Sequence, residues 1–274
     1  MNVSLVIAPQ DAKPSAFVVF RDRLEIGVAK ARALGYDGVE LALALPSDVD
    51  VPTMRTLLAD EGMLLSAVST GRVFAEQRCW LTHRDKKVQR RAVDILIGLV
   101  DVAAELGAPR VNLGRVRGPV ADGQTPDTEE KRFFEGVAAC DEHAVSLGVG
   151  LVLEPVNRYE TNYINSVLPD GIEILRRLGR PNVKLMPDVF HMNIEDASIA
   201  GSLIAAGPQV GYVHLADSNR RAPGDGHVDF HAVFEALAAI GYDGDVGVEI
   251  LPLPTADEAA ARAIRYLRAL TRPS

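Results

Sequence analysis

Short apolar segments alternate with longer segments of helical periodicity along the whole chain. The apolar segments are rich in Val, Ile and Leu, as strands buried on both faces are, and lie at 3–7, 38–43, 64–68, 110–113, 150–154, 183–186, 210–214 and 246–250. Apolar positions with helical spacing predict helices at 22–34, 52–61, 85–106, 127–147, 170–178, 194–206, 230–240 and 256–270. Several of these helices end at a glycine, where a left-handed cap is expected. The pattern therefore predicts eight strand–helix pairs of the α/β class.

Two architectures accommodate this alternation, namely a closed (β/α)8 TIM barrel and an open, doubly wound sheet. A dinucleotide-binding open sheet carries a glycine-rich loop directly after its first strand, and no such loop follows residues 3–7. A (β/α)8 barrel needs about 250 residues, which accounts for nearly all of the 274 residues of this chain. The sequence therefore predicts a single barrel domain over residues 1–274.

The composition argues against several classes of partner. The formal net charge is −8 and no basic stripe is evident, which disfavours nucleic acid and anionic membrane surfaces. The first apolar run stops at Pro9 without a basic leader, and no apolar run reaches the roughly 18 residues of a membrane span. Cys79 and Cys140 have neither metal-ligand nor redox spacing. We therefore expect a cytoplasmic protein with no membrane or nucleic-acid partner.

Each of four successive predicted strands ends in a side chain of a type that binds metal ions, and the four side chains occupy equivalent positions on their strands. These residues are Glu154, Asp188, His214 and Glu249. The carboxyl ends of barrel strands converge on one mouth, so the four side chains are expected to meet. Three carboxylates and one imidazole suit Mn²⁺, with Mg²⁺ or Co²⁺ as alternatives, whereas Zn²⁺ more often recruits additional His or Cys ligands. Taken singly, each residue has a structural explanation, but their matched positions favour a divalent-metal site.

A second set of polar residues follows these ligands on the predicted loops at the mouth of the barrel. Glu160, His191 and Arg220 each lie a few residues beyond a ligand and can bind the hydroxyls and carbonyl of a polar substrate. The alternative for Glu160 is an ion pair with Arg158, and the alternative for Arg220 is a solvated loop charge. We favour substrate binding for all three residues.

The motifs around these residues resemble a known family. Glu-Pro-Val-Asn-Arg-Tyr-Glu at 154–160, Asp-Val-Phe-His-Met-Asn at 188–193, His-Leu-Ala-Asp-Ser-Asn-Arg at 214–220 and the late Val-Glu are similar to the ketose 3-epimerase branch of the xylose isomerase-like barrels. That branch includes the D-tagatose/D-psicose and L-ribulose 3-epimerases. The resemblance implies the same four metal ligands, an acid/base pair formed by Glu154 and Glu249, and a homodimer or homotetramer.

The resemblance also implies a reaction on a small, unphosphorylated sugar or sugar acid. A divalent metal would bind the ketone oxygen and the adjacent hydroxyl oxygen and stabilise an enediolate. One glutamate would remove the proton from the carbon next to the ketone, and the other would return a proton to the opposite face. The loop at 216–227 and the segment at 69–72 resemble relatives that epimerise keto-sugar acids, and a cation such as Arg72 is expected to meet a carboxylate there.

Three alternatives to epimerisation remain open. An inosose-type dehydratase or a ketose–aldose isomerase would use the same metal site and begin from the same enediolate. A non-catalytic sugar-binding barrel is the third alternative, although the complete set of four ligands argues against it.

Overall fold

The structure, a computed structural model, describes residues 1–13, 17–121 and 126–271. Within these ranges nine parallel strands form one sheet. They are β1 (Val3–Pro9), β2 (Phe20–Asp22), β3 (Gly38–Ala42), β4 (Leu64–Ser69), β5 (Arg110–Leu113), β6 (Gly150–Leu153), β7 (Val183–Leu185), β8 (Val213–Leu215) and β9 (Val246–Val248). The three-residue strand β2 was not predicted; it pairs only with the end of β1.

The sheet closes into a barrel. The strand order is β7-β6-β5-β4-β3-β1-β9-β8, with β2 outside this path. Two parallel bridges, Leu185 with Val210 and Asp188 with His214, join the β7 segment to the β8 segment and complete the ring. The strands are buried on both faces, as all five residues of β3 illustrate. The predicted (β/α)8 barrel is therefore confirmed.

Helices connect consecutive barrel strands, and the last helix follows the last strand. They are α1 (Leu24–Leu34), α2 (Val51–Glu61), α3 (Lys86–Leu106), α4 (Pro126–Ser146), α5 (Ile172–Leu178), α6 (Val189–Glu195), α7 (Ile199–Ala206), α8 (Phe230–Ala239) and α9 (Ala256–Thr271). Short 3-10 or π-helical turns lie at Pro46–Asp48, Val73–Gln77, Arg115–Arg117, Val167–Gly171 and Gly207–Gln209. Across the described part of the chain, no helix combines the length and apolar character needed to cross a bilayer.

Helix α3 illustrates how the sequence determines these helices. The Asp85 side chain accepts a hydrogen bond from the Lys87 backbone amide at 2.8 Å and so caps the first turn. Gly107, at φ 75°, ends the helix in the left-handed conformation. Between these ends the buried positions recur every three or four residues, and Leu96 and Leu99 are completely buried. The helix therefore packs one apolar stripe against the barrel.

The segment after β7 differs from the prediction. One helix was predicted at 194–206, whereas the structure has α6 and α7 as separate helices. Asp188 caps α6 through the Phe190 amide, and Ser198 caps α7 through the Gly201 amide at 3.1 Å. Between the helices, Asp196 leaves the helical conformation and accepts hydrogen bonds from two backbone amides of the 167–168 segment. These local caps divide the predicted helix in two and place the start of α6 directly at the mouth.

The buried stripe of α3 leads to a stability prediction. We expect Leu99→Ala to lower the free energy of unfolding by about 2–5 kcal/mol, because the truncation leaves a cavity under a completely buried side chain. Leu147, which is 43% exposed, is the matched control, and Leu147→Ala is expected to stay within about 0.5 kcal/mol of the parent. Urea unfolding followed by circular dichroism measures both; equal losses would contradict this account of the core.

Candidate metal centre

The four predicted metal ligands lie together at the carboxyl ends of the barrel strands. Glu154 directly follows β6, Asp188 is the N-cap of α6, His214 lies within β8, and Glu249 directly follows β9. One ligand atom from each residue lies within 4.8 Å of those of the other three. Residues separated by up to 95 positions therefore meet because parallel barrel strands end on the same face.

Two buried atoms of this cluster have no hydrogen-bond partner. They are Oδ2 of Asp188 and Nδ1 of His214. Nδ1 of His214 lies 4.0 Å from one carboxylate oxygen each of Glu154, Asp188 and Glu249. Ligands of one divalent ion each lie roughly 2.0–2.6 Å from it, so this separation fits a shared ion. Because buried polar atoms without partners are unfavourable, the unsatisfied atoms and the oxygen-rich donor set together fit a divalent cation.

The electrostatics of the cluster point to the same conclusion. Burial, and then the charge of neighbouring Glu249, raise the pKa of Glu154 to about 8. Burial alone would lower the pKa of His214, but the surrounding carboxylates, Glu40 foremost, outweigh burial and raise it to about 10. Neighbouring carboxylates contribute to both shifts, and this excess of negative charge favours a positive charge at the centre of the cluster.

Glu40 is a residue of the site to which the sequence analysis assigned no role. Its Oε2 lies 2.9 Å from Nε2 of His214, and both side chains are completely buried. With a metal ion in the cluster, Nε2 would keep the proton that it donates to Glu40, and Nδ1 would face the three carboxylates without a proton. Gly247 makes this packing feasible, because a Cβ there would lie 2.9 Å from Oε2 of Glu40. In the sequence, this role was indicated by the position of Glu40 as an isolated acidic residue inside the apolar strand β3.

Glu154 is held by neighbours on β5 and on the turn that follows it. The Asn112 side chain donates a hydrogen bond to Oε2 of Glu154 at 3.2 Å. A Cβ at Gly114 would collide with the same oxygen, so only glycine leaves room for the carboxylate. Arg117, completely buried, donates to the backbone carbonyl of Glu154 at 2.7 Å and to three further carbonyls, including that of Gly114. Burial lowers the pKa of Arg117 to about 10, so it stays charged at neutral pH.

The three predicted substrate-binding residues line one cavity together with Glu154 and Glu249. His191 is buried, and burial foremost lowers its pKa to about 3, so the imidazole is neutral. The amide of Asn157 lies 2.7 Å from Nδ1 of His191 and donates to it. Because this contact is shorter than the 3.4 Å between Nε2 and Nη1 of Arg220, the proton of the neutral ring is assigned to Nε2, which lies 3.7 Å from the nearest oxygen of Glu154.

Arg220 is buried and is not the solvated loop charge considered as an alternative. Its guanidinium lies between the rings of Phe17 and Phe190, 4.1 and 4.6 Å from their centroids. It donates a hydrogen bond to Glu249 and lies 3.8 Å from Glu160. The backbone of Arg220 is left-handed, with φ 57°, in a loop where the Asp217 carboxylate accepts hydrogen bonds from three backbone amides. This loop fixes the arginine over the ligand cluster.

Glu160 does not form the ion pair with Arg158 considered as an alternative. Arg158 instead pairs with Glu195 at 2.7 Å, on the outer side of the mouth. Glu160 lies between two arginines, 3.9 Å from Arg115 and 3.8 Å from Arg220. The side chain that was expected to bind substrate is therefore free of a close ion pair and directed into the cavity.

Comparison with known proteins identifies the family of this chain. Residues 28–270 match the family model described as Xylose isomerase-like TIM barrel. The chain is 33% identical over 252 residues to the L-ribulose 3-epimerase of Mesorhizobium japonicum, covering 91% of this chain and 83% of that protein. It is 35% identical over 228 residues to the ketose 3-epimerase of Arthrobacter globiformis, covering 82% of this chain and 77% of that protein.

A solved structure has the same architecture. The crystal structure of the D-allulose 3-epimerase from Methylomonas sp. in complex with D-allulose superposes with a TM-score of 0.80 and 26% identity, covering 98% of this chain and 97% of that chain. These similarities confirm the resemblance to the ketose 3-epimerases and the predicted enzyme class, a carbohydrate epimerase. The chain belongs to the xylose isomerase-like TIM barrel family.

Proposed function

We propose that this chain is a divalent-metal-dependent epimerase that inverts the carbon next to the ketone of an unphosphorylated ketose or keto-sugar acid. The observation that carries the proposal is the position of Glu154 and Glu249. Both belong to the ligand cluster and line the same cavity, yet they follow β6 and β9, which β7 and β8 separate around the barrel. The two carboxylates therefore approach a bound molecule from different sides.

Glu154, Asp188, His214 and Glu249 would hold the metal ion, and the donor set favours Mn²⁺. When bound, the ion supplies Lewis-acid stabilisation of the negative charge that develops on the ketone oxygen during proton removal. Glu40 contributes by holding His214 in the tautomer whose Nδ1 faces the carboxylates.

The two glutamates would transfer the protons. One carboxylate removes the proton from the carbon next to the ketone, and the other donates a proton to the opposite face, which inverts the configuration. Their surroundings differ, because Glu249 pairs with Arg220 whereas Glu154 accepts a hydrogen bond from the neutral amide of Asn112.

The remaining cavity residues would position the substrate. The Nε2–H of neutral His191 donates a hydrogen bond to a substrate oxygen, and the Glu160 carboxylate accepts one from a hydroxyl group. Arg220 is stacked between two rings and therefore loses little conformational freedom when it contacts the substrate. The hydrogen-bonding groups of the cavity thus match a polyhydroxylated ketone.

A turnover experiment in deuterated water tests the function. With Mn²⁺ and a panel of ketoses and keto-sugar acids, we expect an epimer with one deuterium at the inverted carbon. An aldose product would identify an isomerase, and a product lighter by one water would identify a dehydratase; either would refute epimerisation.

Glu154→Gln and Glu249→Gln are each expected to lower kcat by a factor of about 10²–10⁴, because each removes one proton-transfer group.

Glu235, an exposed residue of α8, provides the control for these substitutions. Glu235→Gln is expected to retain the kcat of the parent, because it changes the same chemical group away from the cavity. Full activity in either Glu154→Gln or Glu249→Gln would contradict the acid/base assignment of that residue.

Removal of the metal tests the ligand cluster. We expect chelation to abolish turnover and added Mn²⁺ to restore it, since the cluster is predicted to act only around a cation.

Glu40→Gln is expected to weaken Mn²⁺ binding about 10- to 100-fold, because an amide accepts a weaker hydrogen bond from His214 and no longer balances its charge. Titration calorimetry of the metal-free protein measures the affinity, and unchanged affinity in Glu40→Gln would refute this role.

Substitution of Gly114 tests whether the Glu154 carboxylate needs the space beside this glycine. Gly114→Ala is expected to lower both Mn²⁺ affinity and kcat at least about tenfold, because the added methyl group displaces the Glu154 carboxylate. Gly150→Ala is the matched control. Gly150 begins β6, at the other end of the strand from Glu154, and the nearest atom to an added Cβ there is 3.5 Å away. Equal effects of the two substitutions on metal affinity would contradict a specific role for Gly114.

A further inference from the structure

Among the described residues, three arginines line the cavity, and carboxylates already balance the charge of two of them. Arg72 donates hydrogen bonds to Glu76 at 2.8 and 3.0 Å and to Asp48 at 3.2 Å. Arg220 pairs with Glu249. The expectation that Arg72 meets a substrate carboxylate is therefore not supported, because its guanidinium is occupied by the protein's own acidic groups.

Arg115 differs from the other two arginines. Among the described residues, its guanidinium makes no hydrogen bond, and the nearest carboxylate oxygen, of Glu160, is 3.9 Å away. Its Nε is buried without a partner, although the side chain as a whole is 33% exposed. A partly desolvated guanidinium with unused donors gains strongly from an anion that reaches it.

The position of Arg115 is well defined. It belongs to the short helical turn Arg115–Arg117, and the carbonyl contacts of buried Arg117 hold that turn against Glu154. The Arg115 guanidinium lies over the ring of Phe74, 5.0 Å from the centroid. The arginine is therefore held at the cavity wall before any ligand arrives, which reduces the entropy lost on binding.

Glu160 separates Arg115 from the reacting end of the cavity. One of its oxygens lies 3.8 Å from Arg220, which pairs with Glu249, and the other lies 3.9 Å from Arg115. A substrate whose reacting carbon lies between Glu154 and Glu249 would pass Glu160 before its far end reaches Arg115. Glu160 thus lies between Arg115 and the Arg220–Glu249 pair.

We propose that Arg115 forms a subsite for a carboxylate at the far end of the substrate, so that keto-sugar acids are preferred over neutral ketoses. This inference rests on the proposed function. The guanidinium fork matches a carboxylate through two parallel hydrogen bonds. A phosphate dianion fits less well, because Glu76 and Glu160 line the same cavity and Arg115 alone among the described lining arginines lacks a close carboxylate partner.

The test compares two substrates of equal length and configuration, a keto-sugar acid and the ketose that has a hydroxymethyl group in place of the carboxylate. For the parent protein we expect a higher kcat/KM with the acid. Arg115→Gln is expected to lower the ratio of the two kcat/KM values about 10- to 100-fold, as loss of charge-assisted hydrogen bonds does. A ratio that does not change would overturn the proposal.

Arg221→Gln is the matched control. Arg221 is an exposed arginine on the mouth loop, and its substitution removes the same charge without touching the cavity. We expect it to leave the selectivity ratio unchanged. If Arg221→Gln lowered the ratio as much as Arg115→Gln, general electrostatic attraction would explain the selectivity, and the proposed subsite would be refuted. Arg115→Lys, which keeps the charge but not the fork, is expected to recover only part of the selectivity.

A binding experiment separates this inference from the proposed function. An aldonate has the carboxylate but no ketone, and calorimetry with the Mn²⁺-loaded protein measures its affinity. If no sugar turns over, yet Arg115→Gln weakens aldonate binding about tenfold or more, the epimerase proposal fails and the subsite stands. If epimerisation occurs but Arg115→Gln leaves aldonate binding unchanged, the subsite is refuted. A larger effect of Arg115→Gln on sugar-phosphate binding than on aldonate binding would refute the carboxylate assignment.

Discussion

Repulsion between carboxylates gathered at one end of the barrel is the constraint on which the rest of the structure depends. Glu154 and Asp188 are buried, Glu249 is partly buried, and one oxygen of each faces the same nitrogen of His214 at 4.0 Å. Such a group is unfavourable without a positive charge at its centre, because burial removes the water that would screen the charges. The barrel tolerates the arrangement because its closed ring of hydrogen-bonded strands fixes the four positions independently of the cluster.

The surroundings of the cluster reduce the freedom of each ligand in turn. Glu40 selects the imidazole nitrogen of His214 that faces the carboxylates, and Arg117 binds the backbone at Glu154. Gly114 and Gly247 leave the space that these contacts require. None of these residues needs to touch a substrate, and yet each limits where a proton-transfer group or metal ligand can lie. In the proposed mechanism, this preorganisation would let two carboxylates act on one carbon from different sides.

The charges of the cavity suggest how chemistry and selectivity are divided. Arg220 is paired with Glu249 at the reacting end, and Arg72 is paired with Glu76 on another wall. The protein's own carboxylates therefore balance the charge of both arginines. Arg115 has no close carboxylate partner among the described residues, which makes it the cation through which the cavity can distinguish an acid from a neutral sugar. The proposed division places proton transfer and recognition on opposite sides of Glu160.

Periodicity in the sequence was sufficient to predict the barrel and the convergence of Glu154, Asp188, His214 and Glu249, because parallel strands of a barrel all end on one face whatever their separation in the chain. The split between α6 and α7 was not predicted, since short capping side chains interrupt a helix without changing its apolar spacing. Tertiary structure alone decided which charges are paired. Contacts such as Glu40 with His214 join residues 174 positions apart, and no local pattern specifies them, because they depend on the three-dimensional packing of neighbouring strands and loops.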